Sequence, residues 1–273
     1  MTTNGHGDKD DILVATQISK TYFDPIAKDE VVALSDVSLS VRSHEFVSVI
    51  GPSGCGKSTF LRIVAGLDRP TSGEIRVSGR KVDGPGADRG MVFQEYALLP
   101  WKTTEANISF GPRLKGVPKA QRQVISQKFI DLVGLRGFEK KYPHQLSGGM
   151  RQRAAVARVL ANNPTVLLMD EPFAAVDAMT RQRLQEELTA ITASERTTVL
   201  FVTHAIEEAV FLSDRVVALS GRPGRIVANM PIDLPRPRQW EQFIHDPRFI
   251  RYRDELTQCI HSSAGPRKDD HDH

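Results

Sequence analysis

Cysteine is scarce in this chain: only Cys55 and Cys259 occur among 273 residues. Two thiols cannot make the disulfide framework of a small secreted fold, and Cys55 lies in a glycine-rich run that a bridge would distort. A reducing, cytoplasmic setting is expected. Long apolar runs are missing too. A membrane-spanning helix needs about 20 mostly apolar residues, whereas Val166 to Met169 and Val216 to Leu219 have the length of strands. The polar opening, Met1 to Asp11, has no basic segment leading into an apolar stretch, so no secretory signal is expected there. Nor is charge of one sign abundant: 36 Lys and Arg against 33 Asp and Glu leave a net charge of +3. Both signs are interspersed, unlike the basic stripe of a nucleic-acid binder. What remains is 40% hydrophobic and 25% charged, enough to bury a substantial core in one or two domains.

Within that composition the hydrophobic pattern changes along the chain. Ile12 to Tyr22 and Val31 to Val41 alternate apolar with polar around a polar turn, Asp24 to Glu30, and predict an antiparallel β-layer. Glu45 to Ile50 predicts a buried strand running into a glycine-rich loop, and Lys57 to Gly66 a helix closed by a glycine. After a turn at Gly84 to Gly86 and a strand at Met91 to Gln94, Glu95 to Asn162 reads as a helical insertion broken by Pro112, Pro118 and Pro143. Strands at Thr165–Asp170, Thr197–Thr203 and Arg215–Leu219 then alternate with helices at Met179–Ala193 and Ile206–Leu212. That alternation predicts an α/β core with a mostly parallel sheet. Beyond Gly221 the chain is rich in Arg and Pro, and Ser262 to His273 reads as a disordered tail; His261 at its edge and His271 and His273 within it are more simply solvated than metal-binding.

The run Gly51-Pro52-Ser53-Gly54-Cys55-Gly56-Lys57-Ser58, followed by Thr59, stands between strand and helix. Small residues there let successive backbone N–H groups wrap phosphate oxygens. Lys57 can place its charge on the β- and γ-phosphates, Ser58 can offer a hydroxyl to Mg²⁺, and the helix turns its positive end to the anion. ATP is the expected ligand. A second feature is Val166-Leu167-Leu168-Met169-Asp170-Glu171, an apolar strand ending in two carboxylates. Packing alone explains such a pair poorly, because carboxylates are costly to bury without a cation or ligand. Asp170 suits Mg²⁺, and Glu171 suits a general base for the attacking water. Taken alone, the pair could also cap the next helix.

Leu146-Ser147-Gly148-Gly149-Met150-Arg151-Gln152-Arg153, opening a helix before the acidic strand, resembles the signature motif of ATP-binding cassette (ABC) proteins. The resemblance covers roughly Ile12 to Pro237. It implies a phosphate-loop core with an antiparallel β-layer at 12–94 and 163–230, a helical signature subdomain at 95–162, and a C-terminal extension at 231–273. It also implies that Ser147, Gly148 and Gly149 close on the γ-phosphate held by a second cassette, so that each ATP site needs two chains. Tyr22 resembles the aromatic that stacks on adenine, and Gln94 the glutamine that touches Mg²⁺ and the attacking water. Asp177 resembles the aspartate that meets the opposite subunit, and His204 the histidine that senses the γ-phosphate. A packing role for Tyr22, plain hydrogen bonding for Gln94 and a simple N-cap role for Ser147 stay open. The Cys55 side chain is expected near the phosphates.

Met150 stands where glutamine is commonest in the signature, and Ala174-Ala175-Val176-Asp177 replaces Ser-Ala-Leu-Asp. Both departures bear on the dimer interface and leave the contact atoms. The stretches Gln94 to Trp101, Arg222-Pro223-Gly224-Arg225-Ile226 and Leu234-Pro235-Arg236-Pro237-Arg238 are similar to the importer branch that handles nitrate, taurine and other aliphatic sulfonates. That branch implies peripheral attachment to a membrane permease and a separate solute-binding protein, with Tyr96 to Trp101 either helping to form the permease groove or packing within the helical insertion. The alternative is a soluble ABC ATPase that transports nothing.

Overall fold

The computed structural model describes residues 11–263 apart from Ala27 and Ala175. Two long strands, β1 (Asp11–Asp24) and β2 (Asp29–Arg42), pair antiparallel, each reaching further than the alternation predicted. Alternation in β1 buries Leu13 and Ala15, then slips at a bulge where Gln17 has φ 51° before Ile18 is buried. One extra residue at a bulge accounts for that slip. β4 (Ser72–Val77) and β5 (Arg80–Lys81) complete a sheet in the order β2-β1-β4-β5. Sequence reading passed over β4, although buried Ile75 and Val77 alternate there with Glu74 and Arg76.

The larger sheet contains β3 (Phe46–Ile50), β6 (Arg89–Val92), β7 (Val166–Asp170), β8 (Thr198–Val202), β9 (Arg215–Leu219) and β10 (Ile226–Pro231). Its order is β10-β9-β3-β8-β7-β6, parallel except for β10 on β9. Every residue of β3, β7 and β8 is buried, as in a sheet covered on both faces. Alternate residues of these strands belong to two cores. Val47, Val49, Val166, Leu168, Leu200 and Val202 pack toward the antiparallel layer and α1 (Lys57–Ala65). Phe46, Ile50, Leu167, Met169, Val199 and Phe201 pack in the other core. There they meet α5 (Gly148–Leu160), α6 (Ala178–Ser194), α7 (Ile206–Leu212) and the C-terminal segment. The helical subdomain also holds α2 (Thr104–Ile108), α3 (Phe110–Leu114) and α4 (Lys119–Leu132).

Two sequence expectations need correction. The strand placed at Met91–Gln94 is β6, two residues earlier, so Gln94 lies beyond the sheet. The C-terminal segment forms α8 (Trp240–Phe243) and α9 (Pro247–Ser263), and α9 takes in Ser262 and Ser263, where a tail was expected. Phe249, Tyr252 and Leu256 give α9 a buried face at helical spacing. Residues 264–273, with His271 and His273, lie outside the described residues; His261 is exposed on the last turn of α9.

Where β3 begins, buried Glu45 accepts hydrogen bonds from Arg215 Nε at 2.7 Å and Nη2 at 2.9 Å, and from the Arg42 amide. Burial alone would raise the Glu45 carboxyl, but these bonds and charges outweigh it and hold it below the ordinary value. Arg215→Met leaves that buried carboxylate only the Arg42 amide and a 3.4 Å contact with the exposed Arg42 guanidinium, and a loss of about 3 kcal/mol is expected at neutral pH. A depressed folded-state pKa contributes stability that is present above the unfolded value and lost as pH falls through the folded one. Melting curves of the two proteins should therefore converge in acid; a gap independent of pH would rule out the ion pair as its source.

Candidate active site

Parallel register brings three strand ends to one edge. Thr203, following β8, donates its amide to Val49 O of β3 at 3.2 Å, and Glu171, following β7, donates its amide to Val202 O at 2.9 Å. The glycine-rich loop after β3 therefore faces Asp170, Glu171 and His204. Gln94 extends from the same edge, since Val92 is paired with Met169; its side chain is exposed. Ligand sites of open α/β sheets lie at such carboxyl ends.

Within the loop, Gly56 caps α1 at φ 101°, and a Cβ there would stand 2.7 Å from Leu34 Cδ2 and 2.8 Å from Ala33 O. Both facts demand glycine. Lys57 is buried, and its ammonium donates to Gly51 O at 2.9 Å and Pro52 O at 3.0 Å, which binds it to the loop it serves. Ser53 and Gly54 are exposed at the loop's tip, and Pro52 is half-buried. The expectation for Cys55 is overturned. Its thiol is buried in the core beneath the antiparallel layer, and burial pushes its pKa up. Only its backbone remains on the loop.

Ser58 Oγ donates to Asp170 Oδ1 at 2.9 Å. Burial, and then the adjacent Glu171 charge, push the Asp170 carboxyl above its ordinary value despite the Ser58 bond and the charges of Arg62 and Lys57. Glu171 adopts φ 42°, uncommon for a residue with a side chain. Its Oε2 lies 3.0 Å from His204 Nδ1, and His204 is exposed. Strand ends thus hold a carboxylate–imidazole pair beside a hydroxyl–carboxylate pair.

Tyr22 is tied to the α1 side of the site: its hydroxyl donates to Asp68 Oδ2 at 2.6 Å, and it shares a hydrogen bond with Thr59. Burial, then the Asp68 bond, raise its pKa. Lys20 Nζ sits 4.7 Å from the ring centroid and 2.7 Å from Asp68 Oδ1, which fixes the ring.

Ser147 and Asp177 both cap helices. Ser147 Oγ accepts from the Met150 amide at 3.3 Å at the start of α5, and Asp177 Oδ1 accepts from the Thr180 amide at 3.0 Å at the start of α6. The Thr180 amide also lowers the Asp177 carboxyl. Ser147 is exposed, Gly148 half-buried and Gly149 buried. A Cβ on Gly149 would lie 3.2 Å from Thr180 Cγ2, so this glycine lets α5 approach α6 closely. The signature start is thus both an ordinary N-cap and an outward-facing helix end.

One supporting residue was missed as such. Gly224, in the Arg222 to Ile226 stretch, donates its amide to Ala33 O at 2.9 Å and accepts from the Ser35 amide at 3.0 Å. A Cβ on it would come 2.2 Å from Cys55 O. Gly224→Ala should press on the phosphate loop and weaken ATP binding about tenfold, measured with a fluorescent nucleotide; unchanged affinity would show that the two loops separate freely. An Arg-Pro-Gly run signals a turn, but nothing local says what the turn supports.

A glycine-rich loop opening a helix, with its lysine and serine facing a strand-end Asp-Glu pair and a histidine, defines a phosphate-loop nucleotide hydrolase. The sequence profile of the family described as ABC transporter matches residues 34–174. An uncharacterized ABC transporter ATP-binding protein of Methanocaldococcus jannaschii is 56% identical over 232 residues, 85% of each chain. Nitrate import ATP-binding protein NrtD of Synechocystis sp. is 46% identical over 238 residues, 85% of this chain and 90% of its own. Among solved structures, the ATP-binding cassette MJ0796, a dimer in a post-hydrolysis state bound to ADP and Pi, is similar with a TM-score of 0.69 and 31% identity, over 82% of this chain and 100% of that one. The chain belongs to the ABC transporter family and is one of its ATP-binding, ATP-hydrolysing subunits. The α/β fold with its helical subdomain is the cassette fold.

Proposed function

We propose that this subunit hydrolyses ATP in a two-chain sandwich to drive import of a small anion through a separate membrane permease. The observation that carries the hydrolytic part is the convergence of Lys57, Ser58, Asp170, Glu171 and His204 on the ends of β3, β7 and β8. The loop from Gly51 to Ser58, with Thr59, binds the phosphates, and Lys57 adds its charge to them. Tyr22, held by Asp68 and Lys20, stacks on the adenine. Glu171 accepts the proton of the attacking water, and His204, in contact with it, holds the carboxylate toward the γ-phosphate. Gln94 orients the same water, and its amide oxygen would help to hold a bound Mg²⁺.

Mg²⁺ fits this donor set. Ser58 and Asp170 present neighbouring oxygen atoms, and burial and the Glu171 charge raise the Asp170 carboxyl, a cost that a bound cation would offset. Bound there, Mg²⁺ would neutralise charge developing on the phosphate oxygens.

The second chain supplies Ser147, Gly148 and Gly149 to the γ-phosphate, and Asp177 lines the same junction. The dimeric state of the solved cassette supports this assembly. Importer function is supported by the nitrate importer relative. No helix among the described residues is long and apolar enough to cross a membrane, so attachment falls to a partner. A groove of about 250 Å³ beside β6 is lined by Met91, Phe93, Tyr96, Ala97, Arg158 and Val159, and Trp101 nearby in sequence is 70% exposed. This groove suits a permease helix. Nitrate, taurine or an aliphatic sulfonate is the solute class, delivered by a periplasmic or lipid-anchored binding protein. Deleting the subunit should abolish uptake of one of these anions, and the subunit should co-purify with a permease; normal uptake and no permease partner would return the chain to the soluble ATPases.

A further inference from the structure

Behind His204 a line of buried hydrogen bonds runs to the C-terminal segment. The Ala205 amide donates to Thr203 Oγ1 at 3.0 Å, and that hydroxyl bonds closely to Glu208 Oε2. On the other side, Gln185 Nε2 donates to Glu208 Oε1 at 2.6 Å, and Gln185 Oε1 accepts from Trp240 Nε1 at 2.9 Å. Thr203, Glu208, Gln185 and Trp240 are all buried. Polarity runs one way along this line. An indole N–H can only donate, so the Gln185 carbonyl must face Trp240 and its NH₂ must face Glu208. A backbone amide can only donate as well, so the Thr203 hydroxyl, accepting from Ala205, is turned to give its proton to Glu208. Donors converge on Glu208 from both ends, and a carboxylate is the side chain with two acceptor oxygens to meet them.

Burial pushes the Glu208 carboxyl up, and the Thr203 and Gln185 bonds and the charges of Arg181 and His204 act against that push to favour the carboxylate. Arg181 Nη2 donates to Val176 O at 2.9 Å, immediately before Asp177. Glu208 is thus tied through Thr203 to the segment carrying His204, and Arg181, whose charge reaches it, holds the backbone just before Asp177. Trp240 is anchored independently. Its ring stacks on Phe211 with centroids 4.2 Å apart, and its amide donates to Glu186 Oε1 at 3.0 Å.

We infer that Glu208 is a positioning residue for hydrolysis, and that the Trp240–Gln185 pair makes the C-terminal segment part of the setting of His204. The inference rests on the proposed role of His204. A well-packed buried network holds its members to a single geometry, and the Thr203 backbone is continuous with the histidine that touches Glu171. Disturbing the far end at Trp240 should then alter turnover without touching the nucleotide-binding loop.

The test is ATPase kinetics on the full chain, with melting temperature and nucleotide affinity measured for each variant. Trp240→Phe keeps an aromatic ring against Phe211 and removes the N–H donor together with part of the buried indole. It should lower kcat about threefold or more, with KM for ATP unchanged, and Glu208→Gln should lower kcat about tenfold or more. Because both act on one line, adding Trp240→Phe to Glu208→Gln should cost little further. A lowered melting temperature with wild-type kcat in Trp240→Phe, or effects that multiply in the double variant, would overturn the inference. His204→Ala separates it from the parent assignment. Loss of turnover in His204→Ala with none in Trp240→Phe rejects the relay alone, whereas normal turnover in His204→Ala rejects the role of His204 and the relay with it.

Discussion

Glu171→Gln should leave ATP bound and lower turnover by about 10²-fold or more. The substitution keeps the shape of the side chain and a partner for His204 Nδ1, which now lies 3.0 Å from Glu171 Oε2. It removes the proton acceptor. The backbone at Glu171 stays fixed by its bond to Val202 O, and the loop that holds the phosphates, pinned by Lys57 to Gly51 O and Pro52 O, is not disturbed. Binding and chemistry should therefore separate, with nucleotide affinity near wild type while phosphate release collapses. Chains that bind ATP and cannot cleave it should accumulate as a nucleotide-bound pair, visible as a shift to larger size on gel filtration with ATP and absent without it. Turnover close to wild type would remove Glu171 from the chemistry and leave the strained φ of 42° at that position without a catalytic reason.

How much of this was legible in the sequence differs from residue to residue. Anion chemistry constrains its residues locally, so Gly51 to Ser58 and Asp170-Glu171 stood out before any fold was considered, and the parallel register then brought them together. Directions of side chains were not local. Cys55 shares the loop with Lys57, yet its thiol turns into the core, a choice made by the packing of Leu219 and the antiparallel layer around it. The C-terminal segment was silent for a different reason. Its Arg- and Pro-rich composition carries no periodic pattern, yet Arg238 is buried and donates to the carbonyls of Val210, Phe211 and Ser213 at the end of α7 and to Leu234 O. Burial lowers its pKa to about 10, so it stays charged at neutral pH and satisfies orphan helix carbonyls that would otherwise be buried unpaired. Composition records the charge; only the fold reveals what it caps.

A mixture of two inactive variants should recover activity that neither has alone. Ser147→Arg places a bulky cation on the exposed start of α5, where Ser147 caps the helix. It spoils what a chain offers to its neighbour and leaves its own phosphate loop intact. Lys57→Ala does the reverse, removing the ammonium from the loop while keeping α5 unchanged. Each homodimer then has two defective sites, and loss of a stabilising donor or charge at a phosphoryl-transfer centre should cost about 10²-fold or more. In a mixed dimer the lysine of one chain meets the serine of the other. One site is whole, and its counterpart carries both defects. Random pairing in an equal mixture makes half the dimers mixed, each with one of two sites working, so about one quarter of wild-type turnover is expected if each site acts alone. Steady-state ATPase assays of the two proteins, separately and after co-incubation, decide the matter. Because the lysine and the serine complement only from different chains, recovery places each ATP between two subunits; a mixture no more active than its parents would mean that each chain completes its own site or that both sites must be whole before either turns over.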